Sequence, residues 1–375
     1  MSVFVESHNI LSSLGFSSAE NYQNVVIGNS GLQEYVDTPL SPVPLMASII
    51  DAQKLKDEFS KIGKSTDYTR FEQMCILSIS KALETSQVDP TSKRTLFLMA
   101  TTKGNVELLD DRKGFEPNRL YLWHTAKVIA DFFSFEQTPV VVSNACISGV
   151  SAIVVAKRLI DAGQYDHAVV VGADAISRFV VSGFQSFQSL SLQRCRPFDA
   201  NRDGLNIGEA AATIIITNKP TQTNENLTEI VRGAMHNDAN HISGPSRTGE
   251  GLYLAITDAL QEESVDFISA HGTATPYNDN MESVAISRAK LNHIPVNSIK
   301  GFFGHTLGAA GVLESIIAIE SMRNNTVIKT LGFEEYGVSE EIEIARNNYD
   351  KNIGSILKLA SGFGGCNAAL LMKKV

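Results

Sequence analysis

Three short segments rich in small residues carry one cysteine and two histidines. Cys146 stands between the apolar runs 139–143 and 147–160. His271 begins a segment of glycine, threonine and alanine, and His305 follows a glycine in a second such turn. A cysteine beside imidazoles is a combination of residue types that transfers acyl groups through a thiolate. The sequence therefore predicts acyl-transfer chemistry.

The position of Cys146 predicts a reactive thiol. The apolar residues Ile147, Val150 and Val154 recur at helical spacing, so Cys146 is expected at the head of a helix. Free N–H groups and the positive end of the helix dipole lower the pKa of a thiol placed there. The alternative, equally common, is a free cysteine that packs as a small apolar side chain.

The two histidines and one lysine are candidates for the rest of the site. His271 follows the predicted strand 265–270 at its carboxyl end, where α/β sheets place their functional groups. His305 lies in a glycine-rich turn, and Lys300, five residues earlier, would bring a cation to the same place. The alternatives are a histidine that only caps its loop, a histidine satisfied inside a tight turn, and a solvated surface lysine.

Apolar runs typical of strands alternate with segments of helical periodicity along the chain. Such alternation predicts an α/β fold with largely buried sheets. The predicted strands cover 94–100, 139–143, 167–172, 211–217, 227–233, 265–270, 355–360 and 368–372. The predicted helices cover 69–84, 147–160, 253–262, 281–290 and 311–322.

The chain is predicted to consist of two related halves. At 139–149 and again at 295–311, a short strand leads through small residues into a helix, with the cysteine and the second histidine at matching points. The polar segment 218–226 has no apolar period and is the best candidate for a boundary. We therefore expect an N-terminal half, 1–218, with the nucleophile and a C-terminal half, 219–375, with both histidines.

The composition excludes several classes of protein. The 375 residues are 43% hydrophobic and 19% charged and carry a net charge of −9, which argues against a broad nucleic-acid-binding face. No apolar stretch approaches the length of a membrane span, and the first residues lack the pattern of a secretory signal. We expect a cytoplasmic protein without membrane contact. The four cysteines show neither disulfide nor zinc-ligand spacing, so no metal site is predicted.

Five motifs in one order resemble those of the β-ketoacyl-[acyl-carrier-protein] synthases, the elongating condensing enzymes of the thiolase superfamily. The nucleophile motif is Asn-Ala-Cys-Ile-Ser-Gly around Cys146, and two histidine motifs surround His271 and His305. The remaining two are Arg-Pro-Phe-Asp-Ala-Asn-Arg-Asp-Gly at 196–204 and Gly-Phe-Gly-Gly-Cys-Asn at 362–367. The first ninety or so residues carry no motif that matches the family.

The resemblance implies a thiolase-like five-layered α/β/α/β/α fold and a dimer, either of identical chains or with a related synthase subunit. It implies that Cys146 takes an acyl chain from a carrier protein and that malonyl-carrier protein is then decarboxylated and condensed with it. The N–H groups of Cys146 and Phe363 would form the oxyanion hole. His271 and His305 would donate to the malonyl thioester, and Lys300 would orient them.

The same resemblance gives roles to further residues. Thr273 and Thr275 would bind the phosphopantetheine arm, and Phe363 would also gate the acyl pocket. Supporting roles would fall to Asp279, Glu282 and Glu314. No metal or cofactor is implied, because the phosphopantetheine arrives on the acyl carrier protein as part of the substrate.

Some positions depart from the family pattern. Ala210 replaces a usual glycine, Ile147 follows the cysteine where small residues are common, and Ser361 precedes the last glycine motif in place of an aromatic residue. Ile147 predicts a pocket of different shape near Cys146, and the region 101–137 is short for the family. These departures suggest a specialised synthase for a polyene, pigment or polyketide pathway rather than bulk fatty-acid synthesis.

Two other functions fit part of the pattern. A thiolase uses a second cysteine ahead of a C-terminal glycine run, whereas Cys366 follows the glycines here. A non-catalytic, carrier-binding subunit of a heterodimeric synthase usually lacks the nucleophile, which this chain keeps. An acidic carrier protein would need a basic patch on this acidic chain. The candidates are Lys61, Lys64 and Arg70, or Arg112, Lys113 and Lys127.

Overall fold

The computed structural model describes residues 1–221 and 227–375, and each strand and helix predicted from the sequence has a counterpart in it. The strands are β1 (Phe4–Ser12), β2 (Leu32–Tyr35), β3 (Leu45–Ser48), β4 (Thr95–Ala100), β5 (Val140–Val142), β6 (His167–Asp174), β7 (Ile207–Gly208), β8 (Ala210–Thr217), β9 (Thr228–Asn237), β10 (Phe267–Ser269), β11 (Val296–Asn297), β12 (Thr326–Val327), β13 (Tyr349–Asp350), β14 (Ser355–Gly362) and β15 (Cys366–Lys374). The helices are α1 (Ser18–Ile27), α2 (Ala52–Phe59), α3 (Arg70–Glu84), α4 (Leu122–Phe132), α5 (Ser148–Asp161), α6 (Arg178–Ser186), α7 (Glu250–Leu260), α8 (Pro276–Arg288), α9 (Lys300–Phe303) and α10 (Ala310–Arg323).

Ten strands join into one mixed sheet whose two halves repeat a single topology. From each edge to the middle, the order is β5-β4-β6-β8-β1 in one half and β11-β10-β14-β15-β9 in the other. The outer three strands of each half are parallel, and the next two pairings are antiparallel. A duplicated unit would produce this repeat. The division at residue 218 stays a prediction, and 222–226 of the expected boundary lie outside the described residues.

Five layers stack from one side of the molecule to the other. The outer face of the first half-sheet is covered by α3 and α4, and that of the second half-sheet by α7. Between the half-sheets lie α5 and α10: α5 packs on β6 and β15, and α10 packs on β8 and β14. This α/β/α/β/α arrangement confirms the predicted thiolase-like fold.

The two central helices cross where each has a glycine. A Cβ on Gly149 would lie 2.8 Å from the backbone N of Val312, and one on Gly311 would overlap the backbone N of Val150. Only glycine permits this approach without moving the backbone. The close crossing matters for function because the loops that precede α5 and α10 carry the candidate nucleophile and the second histidine.

Runs of aliphatic residues explain the buried strands. Every position of β8 is buried, and β4 is likewise buried throughout, as expected for strands covered on both faces. β1 was not predicted although it pairs with both β8 and β9 at the centre of the sheet. Its buried polar residues Glu6, Ser7 and Asn9 interrupt the apolar run that would have revealed it.

Candidate active site

Three loops bring one thiol and two imidazoles together. The sulfur of Cys146 and a ring nitrogen of each of His271 and His305 lie within 4.8 Å of one another. All three residues are buried, and the two rings meet edge to face with their centres 5.2 Å apart. Residues that the sequence singled out separately therefore form one cluster.

Each of these loops holds a non-glycine residue in the left-handed backbone region. The residues are Ala145 (φ 44°), Ala274 (φ 61°) and Leu307 (φ 54°). Such a conformation costs on the order of 1–3 kcal/mol and persists only where the surrounding structure imposes it. Strain repeated in all three loops indicates a site whose geometry is fixed by the fold.

The backbone of the C-terminal glycine motif lies against the nucleophile. Cys146 is 8% exposed and precedes α5, which begins at Ser148. Gly362 comes so close that a Cβ there would lie 3.0 Å from the N of Cys146. The N–H of Phe363 lies near enough to the Cys146 thiol to lower its pKa. Two backbone N–H groups, those of Cys146 and Phe363, are thereby brought to the position of the sulfur.

The thiol of Cys146 is protonated at rest. Burial raises its pKa to about 11, against the opposing effects of Lys103 and Lys300. The prediction that the start of a helix lowers this pKa was therefore wrong, because the cost of burying the thiolate outweighs the nearby positive charge. Nucleophilic attack consequently requires a base that removes the proton.

His271 is held by a buried lysine. The Nζ atom of Lys300 lies 3.3 Å from Nδ1 of His271 and 2.5 Å from its carbonyl oxygen. Since an ammonium group can only donate, Nδ1 accepts and the proton of the neutral ring is on Nε2. Burial, Lys300, His305 and Lys358 hold the pKa of His271 well below its usual value. His271 is therefore a neutral ring that donates through Nε2.

The ring of His305 is less constrained. Its Nδ1 is buried and has no hydrogen-bond partner within 1–221 and 227–375. The ring packs edge to face against Phe184, with centres 6.5 Å apart. Burial, Lys300, Lys103 and Lys358 hold the pKa of His305 well below its usual value. A neutral ring with an unpaired nitrogen can accept a proton as well as donate one.

Two buried carboxyl groups shape the loop that follows His271. Glu282 accepts from the N–H groups of His271 at 2.6 Å and of the next residue at 2.7 Å. Asp279 accepts from the N–H of Thr273 at 2.8 Å. Burial raises the pKa of Glu282 to about 7 and also raises that of Asp279. Both side chains fix the backbone that presents the histidine and the two threonines.

A second buried lysine, which the sequence analysis did not single out, stands behind His271. The two carboxylate oxygens of Glu314 contact Nζ of Lys300 and Nζ of Lys358, each at 2.6 Å. Lys300 is 1% exposed and Lys358 is 0% exposed, so a solvated surface position for Lys300 is excluded. The signal that could have revealed Lys358 is a charged residue inside the apolar strand predicted at 355–360.

A cleft of about 400 Å³ opens over the cluster, a volume within the usual range for small-molecule sites. Thr273 and Thr275 line it and share a hydrogen bond of 2.8 Å between their hydroxyl oxygens. The ring of Phe363 packs against those of Phe184 and Phe187, with centres 5.8 and 5.1 Å apart. Since Phe187 is 54% exposed, this aromatic group extends from the cluster to the surface.

The unusual positions of the sequence have specific places in the structure. Ile147 packs in the central core and, within the described chain, is not among the residues that line the cleft, so it does not shape the pocket as predicted. Ser361 lines the cleft and donates to Asn367 at 2.8 Å. Cys366 contacts Asn237 at the side of the glycine motif rather than the cluster. This placement argues against a two-cysteine thiolase site.

The basic residues considered for carrier docking differ in their exposure. Arg70 contacts the buried carboxylate of Glu209, which removes it from the candidates. Lys61, Lys64 and Lys127 are exposed, and each pairs with an acidic residue three or four positions away. Exposed pairs of this kind are weak, so these lysines remain open to a partner.

Comparisons with known proteins give the same family as the motifs. The sequence pattern described as "Beta-ketoacyl synthase, N-terminal domain" matches residues 33–222, and "Beta-ketoacyl synthase, C-terminal domain" matches residues 227–334. The chain belongs to the beta-ketoacyl synthase family. The match begins at residue 33 and therefore includes part of the first ninety or so residues, in which the sequence analysis found no family motif.

Individual relatives of this β-ketoacyl synthase match along most of its length. A 3-oxoacyl-[acyl-carrier-protein] synthase 2 of Staphylococcus aureus (strain COL) is 27% identical over 409 residues, which cover 99% of this chain and 98% of the relative. The enzyme of the same description from Rhizobium meliloti (strain 1021) is 33% identical over 253 residues, 62% of this chain and 60% of the relative.

Solved structures share the fold of this β-ketoacyl synthase. The ketosynthase ApeO, in complex with its chain length factor ApeC from Xenorhabdus doucetiae, has a TM-score of 0.88 at 24% identity, covering 100% of this chain and 98% of the other. A beta-ketoacyl synthase from Burkholderia phymatum STM815 has a TM-score of 0.86 at 24% identity, covering 100% and 99%.

Proposed function

We propose that this β-ketoacyl synthase condenses an acyl thioester with malonyl-acyl-carrier protein and releases carbon dioxide. The observation that carries the proposal is the cluster of Cys146, His271 and His305, with Lys300 on Nδ1 of His271. It combines one nucleophile, one imidazole fixed as a donor and one imidazole whose Nδ1 has no partner among the described residues. A decarboxylating condensation needs these three functions within reach of the same thioester.

In the first step, Cys146 takes the acyl chain. The sulfur attacks the thioester carbonyl while His305 takes the thiol proton, since its Nδ1 has no partner within the described ranges. His271 is less suited to this task because Lys300 occupies its accepting nitrogen. The tetrahedral intermediate then collapses, and the carrier thiolate leaves and takes up the proton.

In the second step, the malonyl thioester loses carbon dioxide. Its carbonyl oxygen accepts hydrogen bonds from Nε2–H of His271 and from His305. The bond to the carboxylate breaks, and its electron pair becomes the enolate. Neutral donors that are already oriented stabilise the charge as it develops. The ammonium groups of Lys300 and Lys358 behind the rings favour this anion.

In the third step, the enolate carbon attacks the acyl group on Cys146. The negative charge on the acyl oxygen is stabilised by the backbone N–H groups of Cys146 and Phe363. The carbon–sulfur bond breaks, and the departing thiolate of Cys146 takes up a proton from solvent. The nearness of the Phe363 N–H to the thiol supports this assignment.

We propose that the pantetheine arm of the carrier lies along Thr273 and Thr275, two residues that line the cleft. Amide groups of the arm can replace the hydrogen bond that the two threonines make with each other. The scheme uses only proton transfer and charge stabilisation, so it calls for neither a metal nor a redox cofactor.

Intact-mass spectrometry tests the proposed function. The protein and Cys146→Ala are incubated with a panel of acyl-carrier-protein thioesters, with Cys366→Ala as the matched control. We expect an acyl adduct on the wild type and on Cys366→Ala but not on Cys146→Ala. Absence of an adduct on the wild type with every thioester would reject this function in favour of a carrier-binding partner subunit.

We propose further that the acyl chains are unsaturated or aryl groups of a specialised pathway. Phe184, Phe187 and Phe363 form a continuous aromatic wall of the cleft. Such rings stack well on flat conjugated groups. A preference for ordinary saturated chains in the same panel of thioesters would count against this substrate class.

The edge strand β5 supports a dimer as the working form. This strand ends the large sheet, and its three valines are only half-buried. An uncovered apolar edge invites pairing with another strand. Nearby in sequence, Tyr121 and Trp123 stack on each other while mostly exposed. Light scattering of the purified chain, alone and with a related synthase subunit, tests whether the partner is a second copy.

Carrier protein is proposed to dock beside the exposed lysines Lys61 and Lys64 or beside Arg112, Lys113 and Lys127. Charge reversal at either group that leaves carrier affinity unchanged would exclude that group.

No helix within 1–221 and 227–375 is long and apolar enough to cross a bilayer. The cytoplasmic location stays a prediction.

A further inference from the structure

Lys358 is buried at the centre of the C-terminal half of the sheet, and the proposed reaction assigns it no bond-making step. It lies on β14 between aliphatic neighbours and is 0% exposed. Burying an ammonium group without partners is costly. The contacts of its Nζ atom therefore show what keeps the residue there.

The ammonium group of Lys358 lies near three acceptor atoms and hydrogen-bonds two of them. Nζ lies 2.6 Å from Oε2 of Glu314, and it donates to the carbonyl oxygens of Ser269 at 3.2 Å and Ala270 at 3.1 Å. Ala270 immediately precedes His271. Lys358 thus fixes both the end of β10, from which the histidine projects, and one oxygen of the glutamate.

Lys300 has three acceptors as well. Its Nζ contacts Oε1 of Glu314 at 2.6 Å, the carbonyl oxygen of His271 at 2.5 Å and Nδ1 of His271 at 3.3 Å. An ammonium group has three N–H bonds, so Lys300 uses all its donors, whereas Lys358 donates two hydrogen bonds and meets Oε2 of Glu314 as an ion pair. Because Lys358 holds the other oxygen of Glu314, Lys300 has one carboxylate oxygen and directs its remaining donors to His271.

We propose that Lys358 is a positioning residue for His271, acting through Glu314 and Lys300. By holding Oε2 of Glu314 it keeps Lys300 against Nδ1 of His271. The ring then carries its proton on Nε2, the nitrogen that donates to the malonyl thioester. The kinetic consequences rest on the proposed condensation, whereas the effect on the imidazole does not.

Lys358 also sets the charge of the buried cluster. Lys300 and Glu314 alone would balance each other, and Lys358 adds a positive charge that opposes protonation of both imidazoles. Its removal therefore raises their pKa values. The charged and titratable groups packed around the two rings are Lys103, Lys300, Lys358, Cys146, Glu282 and Glu314.

The experiment compares Lys358→Met with the control Lys351→Met. Methionine has a side chain of similar length and leaves Lys300 and Glu314 as a one-to-one pair. Lys351 donates at 2.9 Å to the carbonyl of Asp266, just before the same strand β10, and does not contact the cluster in the described chain. The decarboxylation of malonyl-acyl-carrier protein is measured for both variants as a function of pH.

We expect Lys358→Met to lower kcat for decarboxylation by about 10-fold or more, but less than the roughly 10²–10³-fold that loss of a direct donor costs. KM should not change, because Lys358 does not reach the cleft. The acid limb of the pH profile should move to higher pH, since loss of a cation raises the pKa of the imidazoles. Lys351→Met should have the same kcat, KM and pH profile as the wild type.

Nitrogen-15 NMR of the histidine rings tests the contact without any activity. The wild type should show His271 as the Nε2–H tautomer, and Lys358→Met should show a mixture because Nδ1 loses its fixed donor. The spectrum of His271→Asn assigns the signals. If Lys358→Met does not fold, Lys358→Gln replaces it, because its amide can still donate to the carbonyls of β10 without a charge.

A folded Lys358→Met protein with an unchanged His271 tautomer and pH profile would overturn the proposal and leave Lys358 a structural residue. A changed tautomer in a protein whose wild type does not decarboxylate malonyl-acyl-carrier protein would have a different meaning. It would support the positioning by Lys358 and reject the condensation as the function.

Discussion

Nζ of Lys300 lies 3.3 Å from Nδ1 of His271, and this contact decides which ring nitrogen carries the proton. The two imidazoles are consequently not equivalent. His271 is a fixed donor, whereas Nδ1 of His305 has no partner in the part of the chain that the structure describes. One site can therefore take a proton from Cys146 and also donate to an enolate.

Replacing each histidine in turn should distinguish removal of the Cys146 proton from hydrogen-bond donation to the enolate. His271→Ala and His305→Ala should both slow decarboxylation by about 10²–10³-fold, the usual cost of losing an oriented donor. Only His305→Ala should also slow the acylation of Cys146, followed by intact mass over time. His293→Ala, at an exposed position, is the control and should change neither rate. Equal acylation by the two cluster variants would show that His305 is not the base.

The buried lysines and Glu314 predict an order of stabilities. Glu314→Gln leaves two ammonium groups without a counter-charge, and breaking a buried pair in this way costs about 3–5 kcal/mol. Lys300→Met should cost less, because Glu314 keeps its contact with Lys358 at 2.6 Å. Urea unfolding measures both.

Glu250→Gln, which removes a pair that is partly exposed, is the control for this series and should have little effect. If Lys300→Met proves more destabilising than Glu314→Gln, the glutamate is not the shared partner of two charged lysines.

The cluster could be predicted from sequence because each of its residues lies in a short segment of distinctive composition. Cys146, His271 and His305 stand in turns of small residues, and their order along the chain identified the family. The apolar runs between them gave the strands and helices that position those turns. The structure adds that the three side chains lie within 4.8 Å of one another.

What the sequence could not show depends on burial and on contacts between distant elements. The start of a helix predicted a low pKa for Cys146, but the completed fold removes the thiol from water and raises its pKa to about 11. Lys358 was overlooked because its partner Glu314 lies on a different element, α10. The charge inside the apolar strand 355–360 was a local signal for Lys358, but its pairing with Glu314 forms only when the sheet and the central helix pack together.

The aromatic wall predicts how the acyl pocket can be enlarged. Phe184→Ala should let the protein load longer or bulkier acyl chains, because Phe184 stacks on Phe363 with centres 5.8 Å apart. Removing this buried ring should also destabilise the fold by about 3–5 kcal/mol. The panel of acyl thioesters gives the readout, with Phe179→Ala as control, since Phe179 is an exposed residue of the same helix α6 that does not line the cleft. An unchanged preference in Phe184→Ala would place the end of the chain elsewhere.

The pH dependence of alkylation tests the protonation state of Cys146. With a pKa of about 11, the thiolate fraction at pH 7 is about 10⁻⁴, so the rate with iodoacetamide should rise about tenfold per pH unit and level off only near that pKa. Lys103→Met removes a cation that lowers this pKa, so its rate should be lower at each pH below 11. The Cys146 peptide is quantified by mass spectrometry, with Lys113→Met as the exposed control. A rate that already levels off near pH 8 would show that the positive charges prevail over burial.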